Sequence, residues 1–395
     1  MVIRAPILAL ALVLAAVPLA GLHAGDGDSV SYTIAAVPPG KAPAKPLRVI
    51  PTTGSFSNSR RTAEELLVQS ANGSTIPLWS HSVTDNGHSY TFMMAGGNPH
   101  SSDRTTTTDV LIVPLAIAWG STTMSPWTTD HCTGSKSPVT RVDESPMIQN
   151  FTFKASGTTV GTGPWVDNYQ RASFWKYVKP GQNTHFHNAL HTTRISEHIV
   201  VNIANGGSVH SGHCGQYLKI NLETFDPFVQ STIFPNHTDV MGPRHLVVFL
   251  LHNVIMNYDN QTKCCYFGYH QAFDNSDYDD AFQTYVVVDY DTTGSFGNIQ
   301  DTMVLSHEMA EWLADPNTHN PTPAWSADGQ CQNILEVADP LEETSHTITS
   351  HGFKYHVQDL AYISWFYDQS PSIGVNGHYA LFDGLTKPAK HNCTP

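Results

Sequence analysis

One short segment of the sequence has the residue types and spacing of a metal-binding site. It reads DTMVLSHEMAEWLADP, from Asp301 to Pro316, and has His307 and Glu311 four residues apart with Glu308 beside the histidine. On a helix, side chains at i and i+4 lie one turn apart on the same face, so His307 and Glu311 can hold one cation from one side. Glu308 would then reach water held by that cation and take its proton, which is the chemistry of a metal-dependent hydrolase.

This spacing is specific for a chain of such composition. With 22 His and only 10 Glu in 395 residues, the pattern H-E-x-x-E is expected by chance about 0.01 times. The alternative is a solvated helix face that merely carries acidic residues. Against it, the segment is apolar on both sides of His307, and no Lys or Arg stands three or four residues after either glutamate to pair with it.

The segment also resembles the active-site helix of the zincin metallopeptidases, whose motif is H-E-x-x-H. Val304 to Leu313 matches the extended zincin pattern at every position but one, because Glu311 stands where that family has its second histidine. In gluzincins the third ligand is a glutamate on a following helix, with an acidic residue one turn later. That resemblance implies Glu336 as the third ligand and Asp339 as the residue that orients His307 through its free ring nitrogen, or as a direct ligand.

A second resemblance covers about 289–341. The pattern H-E-x-x-E-x-x-x-D-P, followed by Ala324-Trp325 and by EVAD at 336–339, is similar to plant EXORDIUM/phosphate-induced secreted proteins and to uncharacterised exported bacterial proteins. It implies export but no settled activity. A catalytic metal site needs a third protein ligand in any case, and four histidines rival Glu336 for that position: His319, His346, His351 and His356.

The donor set affects the choice of cation. Two glutamates and one histidine place more negative charge on the ion than two histidines and one glutamate, so water held there is expected to be less acidic. Zn²⁺ is the expected ion, and Mn²⁺, Fe²⁺ or Ca²⁺ compete better than at an H-E-x-x-H site. Tyr355, His356 or Tyr362 could supply the donor that stabilises an oxyanion.

These residues predict an exported metal-dependent hydrolase, a peptidase acting on peptide or protein substrates. The alternative is an exported binding or cell-wall-associated protein whose metal site is structural or vestigial. An open coordination position beside Glu308 would favour the hydrolase, and a closed cage of protein ligands would favour the alternative.

The elements that must position the site are a helix over Asp301–Ala314, capped by Asp301 and ended by Pro316, and a preceding strand over Thr284–Asp289. Zincins place at that point the edge strand that lines an extended peptide. Two further helices are predicted at Thr62–Gln69 and Asn168–Val178. Further strands are predicted at Tyr90–Met94, Asp109–Ala118, His198–Ile203 and His245–Ile255. The fold class is α/β or α+β, with a zincin-like core of mixed sheet and active-site helix and a loop-rich C-terminal part.

The start of the chain predicts export. Residues 1–24 have the basic start, apolar run and small-residue cleavage point of a signal peptide. Residues 25–60, rich in Pro, Gly and Ala, predict a flexible leader. Residues 61–395 then form one large domain, with possible sub-lobes at about 61–190 and 191–395. The protein is expected to be secreted or periplasmic.

Six cysteines in an oxidising compartment predict disulfides, with 15 pairings open. Adjacent Cys264 and Cys265 are expected to bond to different partners. A net charge of −14 without a basic cluster argues against a nucleic-acid partner. No span beyond the signal peptide is long and apolar enough for a membrane.

Two other clusters are weighed as cation sites. His185 and His187 alternate and would share one face of a strand, where they could bind a second metal, although a polar surface cluster is favoured. The acidic run at 274–280 could hold Ca²⁺, but a solvated loop is favoured.

Overall fold

The long apolar segments in the middle of the chain form a mixed sheet. A computed structural model describes residues 29–34, 61–258, 263–327, 330–342, 344–391 and 393–395. The strands in these residues are β1 (Ser29–Ile34), β2 (Leu78–Asp85), β3 (His88–Ala95), β4 (Thr105–Trp119), β5 (Thr122–Met124), β6 (Phe151–Ala155), β7 (Thr158–Gly163), β8 (His187–Arg194), β9 (His198–Ile203), β10 (Ser208–Ser211), β11 (Gln216–Asn221), β12 (His245–His252), β13 (Val254–Tyr258), β14 (Lys263–Tyr266), β15 (Gly268–Asn275), β16 (Ala281–Tyr290), β17 (Pro321–Ala327), β18 (Gln330–Ile334), β19 (Ser345–Ser350) and β20 (Phe353–Gln358).

Helices lie between these strands. They are α1 (Ala63–Ala71), α2 (Pro138–Asp143), α3 (Trp165–Ser173), α4 (Trp175–Val178), α5 (Leu222–Phe228), α6 (Phe234–Asn236), α7 (Met303–Ala314) and α8 (Ile363–Phe366). A π-helical turn at Val229–Ile233 joins α5 to α6, and short 3₁₀ segments lie at Ser276–Tyr278, Asp339–Leu341 and Val375–Gly377. None of the helices in the described part of the chain is both long and apolar enough to cross a membrane.

The main sheet has the strand order β1-β9-β4-β12-β16-β15. The strands from β1 to β16 pair in parallel, whereas β15 pairs antiparallel with β16. The long strand β4 also pairs with β8 and β5. A second sheet has the order β10-β11-β13-β14, and four separate hairpins are formed by β2–β3, β6–β7, β17–β18 and β19–β20. The α+β class is therefore confirmed.

Two apolar cores lie on opposite faces of the main sheet, because successive side chains of a strand point to opposite faces. In β12, Leu246, Val248 and Leu250 pack into the core that also contains residues of α7. Val247, Phe249 and Leu251 alternate with them and pack into the other core, with α5. A strand covered on both faces is a continuous apolar run rather than an alternating one, as the sequence of β12 is.

Helix α7 is buried along its whole length. It packs against β15 and β16 of the main sheet and against the β19–β20 hairpin. Two tryptophans tie it to its surroundings: Trp312 Nε1 donates to Thr284 Oγ1 (3.1 Å), and Trp165 Nε1 donates to the carbonyl of Ser306 (3.0 Å). Because the helix is buried on all sides, its apolar residues are distributed around it and are not confined to one face.

The cap predicted for this helix is wrong in detail. Helix α7 begins at Met303, and Thr302 at its N-cap makes no side-chain capping bond. Asp301 lies one residue earlier with a positive φ of 39°. Its carboxylate accepts hydrogen bonds from the backbone and ring nitrogens of His356. It therefore fixes β20 to the start of α7.

Most predicted elements are present, but two are divided. The strand predicted at His245–Ile255 is two strands in different sheets, separated at Asn253, which has a positive φ of 54°. The helix predicted at Asn168–Val178 is divided at Phe174 into α3 and α4. In both cases the predicted pattern continues across the break, so periodicity alone did not reveal it.

The predicted limits of the leader and sub-lobes also need correction. Ser29–Ile34, within the predicted leader, is strand β1 and pairs with β9. The remainder of the leader and the signal peptide lie outside the described residues. The sub-lobe boundary near residue 190 falls inside β8, and β4 pairs with β12 across it. The two halves share one sheet and are not separate lobes.

All six cysteines form disulfides: Cys132–Cys214, Cys264–Cys265 and Cys331–Cys393. The expectation that Cys264 and Cys265 bond to different partners is wrong. The peptide bond between them is cis rather than trans, and the two residues bond to each other.

The core on the α5 side contains a buried acid. The carboxylate of Asp226 accepts hydrogen bonds from Tyr285 Oη (2.5 Å) and Gln230 Nε2 (3.1 Å). Burial raises the pKa of Asp226 to about 6, although the bond from Tyr285 works in the opposite direction. The folded protein therefore holds this proton up to a higher pH than the unfolded chain does.

This acid predicts a pH-dependent stability. The folded-state pKa of about 6 exceeds the usual value of 3.8, so the stability contributed by the protonated acid is complete below pH 3.8 and is lost as pH rises through 6. Across that window, the unfolding free energy of the wild type should fall by about 3 kcal/mol relative to Asp226→Asn, measured by urea unfolding. Parallel pH profiles of the two proteins would contradict this assignment.

Candidate metal centre

The centre lies where α7 faces the last strand of the main sheet. His270 pairs with Val286 of β16 and Gly268 with Val288, and both valines belong to the core on the α7 side. Gly268 and His270, two residues apart, therefore point to α7. A Cβ at Gly268 would lie 2.9 Å from Glu308 Oε1 and 2.6 Å from a methyl group of Val304. Only glycine allows the helix to approach the strand this closely.

The first group of donors is formed by two residues of α7 and one residue of the short 3₁₀ segment Asp339–Leu341. His307 Nε2 lies 3.1 Å from Glu311 Oε2 and 3.6 Å from Asp339 Oδ1. One ligand atom of each residue lies within 4.8 Å of the other two, close enough to surround one ion, and all three residues are buried. We call this group the first triad.

Gln358 determines which nitrogen of His307 faces the triad. Its Oε1 lies 2.9 Å from His307 Nδ1, and its Nε2 donates to the carbonyl of Ala338 (2.6 Å). Nδ1 therefore carries the proton, and the lone pair of Nε2 points to Glu311 and Asp339. The expectation that Asp339 orients His307 through its free nitrogen is wrong, because the side chain of Gln358 occupies that position. Asp339 lies on the ligand side.

Hydrogen bonds between helix α7 and strand β20 hold Gln358 beside His307. The backbone nitrogen of Gln358 donates to Ser306 Oγ (2.9 Å), and Ser306 Oγ donates to the carbonyl of Met303 (2.6 Å). The residue before His307 on the helix is thus bonded to the residue whose side chain orients His307. The sequence offered no local signal for a partner 51 residues away.

A second group of donors shares Glu311 with the first. It consists of His270, Glu308 and Glu311, again within 4.8 Å of one another and all buried; we call it the second triad. His270 Nδ1 lies 3.6 Å from Glu308 Oε2 and 3.7 Å from Glu311 Oε2. His270 was missed by the sequence analysis because β15 was not predicted as a strand.

Glu336 lies beside the centre but in neither triad. It follows β18 in a loop rather than standing on a helix, and its Oε2 is 3.8 Å from His270 Nε2. Asp339, three residues later, is the carboxylate that reaches His307 Nε2. Asp339, kept in the sequence analysis as an alternative ligand, therefore lies where the gluzincin resemblance implied Glu336, and Gln358 has the orienting role.

The charges of the centre call for neutralisation. No Lys or Arg in the described residues forms an ion pair with Glu308, Glu311 or Glu336. One oxygen of each accepts no hydrogen bond of acceptable geometry, and neither does His270 Nδ1. Buried oxygens without donors are costly unless a cation fills the space between them. These orphaned atoms fit a divalent ion, and the donor types suit Zn²⁺ or Mn²⁺.

In the metal-free protein, protons take up part of this charge. Burial raises the pKa of Glu336 well above its usual value, with the negative charge of Glu311 adding to the effect. Burial also raises the pKa of Glu308. For His307, burial works to lower the pKa, but the charges of Glu311 and Glu308 outweigh it and hold the pKa well above 6.5. A metal entering the centre must displace protons.

A small cavity borders the centre. It has a volume of about 30 Å³, and its lining includes His307, Glu308, Gly268 and Gln358. One water needs about 10–15 Å³ of such volume, so there is room for one or two. Half-buried Ile299 and Glu342 lie among the other lining residues. Glu308 is therefore among the residues that border a space large enough for water.

The other residues considered from the sequence lie elsewhere. Each histidine proposed as a rival ligand has a different partner: His319 contacts Thr318, His346 stacks on Phe382, His351 bonds the carbonyl of Glu144, and His356 pairs with Asp301. His185 and His187 pair with separate aspartates, Asp103 and Asp167. Within the described residues, no metal-binding group includes them or the acidic run at 274–280.

Neither the oxyanion donors nor the edge strand stand where they were expected. Tyr355, His356 and Tyr362 are absent from the described lining of the cavity. The predicted edge strand lies within β16, which is flanked by β12 and β15. β15 is instead the last strand, and its residues Gly268–Phe273 are buried. A peptide therefore has no exposed strand edge to pair with along β15.

No family model matches this chain, and no curated protein or solved structure is significantly similar to it. The interpretation of the centre therefore depends on its own geometry.

Gln358 provides a test of this geometry. Replacing it with Met removes the acceptor for His307 Nδ1 while keeping the side-chain length, so metal affinity should fall about 10–100-fold. Competition with a chromogenic chelator measures the change. The matched control is Gln283→Met, a buried glutamine of β16 whose side chain bonds backbone carbonyls outside the centre. Equal affinities in both variants would contradict the role assigned to Gln358.

Proposed function

We propose that this protein is an exported metal-dependent hydrolase that uses Glu308 as its general base. The observation that carries the proposal is the shared lining of the water-sized cavity by His307 and Glu308. A catalytic site of this class needs three protein donors, a position left for water, and a carboxylate beside that water. The first triad, the cavity and Glu308 correspond to these three requirements.

The chemistry assigns a task to each residue. A divalent cation, when bound, supplies Lewis acidity to water and to the scissile carbonyl. Glu308 accepts a proton from water in the cavity and returns it to the leaving group. The raised pKa of Glu308 suits a group that must both take up and release a proton. Gln358 keeps the proton of His307 on Nδ1.

Substrate approach is limited by the depth of the centre. A cavity of about 30 Å³ does not admit a peptide side chain, so a scissile amide must approach from the side of Ile299 and Glu342. We propose peptides as the substrate class, bound where Ile299 and Glu342 line the cavity and not along β15. The pairing of all six cysteines in disulfides supports export, because such bonds persist in oxidising compartments.

Metal analysis and peptide hydrolysis together test the proposal. The wild type, loaded with Zn²⁺ or Mn²⁺, should cleave unfolded casein or a mixed peptide library. Glu308→Gln should keep a cation at the first triad while its rate falls about 10²–10⁴-fold, because the base is lost. His307→Ala should lose that cation, as measured by elemental mass spectrometry.

His346→Ala is a matched control, since this histidine stacks on Phe382 away from the centre. It should keep both the cation and the activity. Undiminished cleavage by Glu308→Gln would remove its catalytic role. Full metal content in His307→Ala would overturn the ligand assignment.

A second candidate function is a non-catalytic exported protein with a structural metal centre. The observation in its favour is burial: Glu311, Glu308 and Glu336 are at most 1% exposed, and Asp339 is 2% exposed. Structural sites are closed by protein ligands, whereas catalytic sites keep one open position.

Cobalt substitution separates the two candidates. In a hydrolase, a small chelating ligand such as acetohydroxamate should enter the open position and change the visible spectrum of the Co²⁺-loaded protein. In a closed structural cage the spectrum should not change. Gln358→Met, loaded with Co²⁺ at saturating concentration, should respond like the wild type, since it alters affinity and not access.

A further inference from the structure

We propose that the centre holds two divalent cations, with Glu311 bridging a second ion bound by His270 and Glu308. This inference extends the proposed function, because it assumes the first cation at His307, Glu311 and Asp339. It assigns the second triad as a metal site of its own, with one imidazole and two carboxylates as donors. Glu308 would give this ion Oε2, the oxygen 3.6 Å from His270 Nδ1, and keep Oε1, the oxygen beside Gly268 of the cavity lining, as the base.

His270 is oriented as a ligand in the same way as His307. Its Nε2 lies 3.2 Å from the backbone carbonyl of Asp315, an acceptor that fixes the ring proton on Nε2. Nδ1 then carries the lone pair and points to Glu308 and Glu311. It has no hydrogen-bond partner, although the side chain of His270 is only 1% exposed. A backbone carbonyl behind a buried histidine is the usual support for a metal-binding imidazole.

One ion does not serve both histidines. Glu311 Oε2 is near both, 3.1 Å from His307 Nε2 and 3.7 Å from His270 Nδ1. In the described residues the two histidines belong to different groups of mutually close donors. Donors around a single four-coordinate ion lie at most about 4 Å apart. A shared carboxylate between two ions about 3.5–4 Å apart is the usual form of a two-metal site.

The charge of the centre also favours two ions. Glu308, Glu311, Glu336 and Asp339 are buried together and carry four negative charges when ionised. The neighbouring buried carboxylate of Asp315 accepts backbone hydrogen bonds from His319 and Asn320 instead. One divalent cation leaves two of these charges in a low-dielectric interior, where each costs several kcal/mol. Two divalent cations balance all four.

Protons are the competing explanation. Two charged imidazoles and two protonated glutamates would also neutralise the centre, and this state is expected in metal-free protein. The two states are distinguished by counting bound metal, because a protonated His270 Nδ1 does not bind an ion.

Manganese stoichiometry and electron paramagnetic resonance of the full mature chain test the inference. The protein, freed of metal with a chelator, is equilibrated with Mn²⁺ and its bound manganese is counted. The wild type should bind two Mn²⁺ per chain, with the multiline spectrum of a spin-coupled pair. His270→Phe should bind one, with the six-line spectrum of an isolated ion.

His252→Phe is the matched control. His252 is as buried as His270 and pairs with Asp130 on another part of the sheet, so this variant should still bind two ions. One Mn²⁺ in the wild type, without coupling, overturns the second site and leaves the first intact. Two ions retained in His270→Phe overturn the assignment of His270. No bound Mn²⁺ or Zn²⁺ in the wild type overturns both the second site and the proposed function. Since the wild type is decisive alone, a variant that fails to fold does not remove the test.

Discussion

The electrostatic constraint on this structure is the burial of several carboxylates around two imidazoles. Glu308, Glu311 and Glu336 form no ion pair with a Lys or Arg of the described chain. An uncompensated buried carboxylate is strongly destabilising, so the centre needs cations or protons to exist at all. The fold brings His270 and His307 both within 4 Å of Glu311 Oε2. The surrounding contacts serve to hold these rings at fixed angles, through Gln358 on one side and the carbonyl of Asp315 on the other.

These donors come from distant parts of the chain, and the centre therefore couples the layers of the fold. β15 contributes His270 and α7 contributes three donors, while the loop after β18 contributes Asp339. The β19–β20 hairpin adds Gln358. Such a centre cannot form before the C-terminal part packs on the main sheet, so metal binding at the proposed site would add to the stability of the folded state. Metal coordination would then hold the loop-rich C-terminal part to the sheet in addition to its apolar contacts.

Sequence reasoning found the part of the centre that one helix supplies. His307, Glu308 and Glu311 share a local period, and a period can be read without knowing the fold. His270 could not be found in the same way, because it depends on which face of β15 meets α7 and on the strand being recognised first. The choice between Glu336 and Asp339 as the third ligand failed for a similar reason: outside regular helices and strands, no period fixes which carboxylate faces His307. The apolar strands β4, β9, β12 and β16 were found, but the edge was misplaced, since strand order depends on contacts between residues far apart in sequence.

The proposed two-metal centre gives a physical reason for a glutamate at position 311, where the H-E-x-x-H motif has a histidine. A neutral imidazole has one lone pair for a metal, and its other nitrogen is a donor, so a histidine in position 311 would serve a single ion. A carboxylate offers about four lone-pair directions and can be shared. Glu311 Oε1 already accepts the backbone N–H of Ala338 (3.2 Å), which leaves Oε2 directed between His307 and His270. Glu311 could therefore be shared by the two ions of the proposed centre in a way that a histidine could not, and β15 would supply the second imidazole, His270.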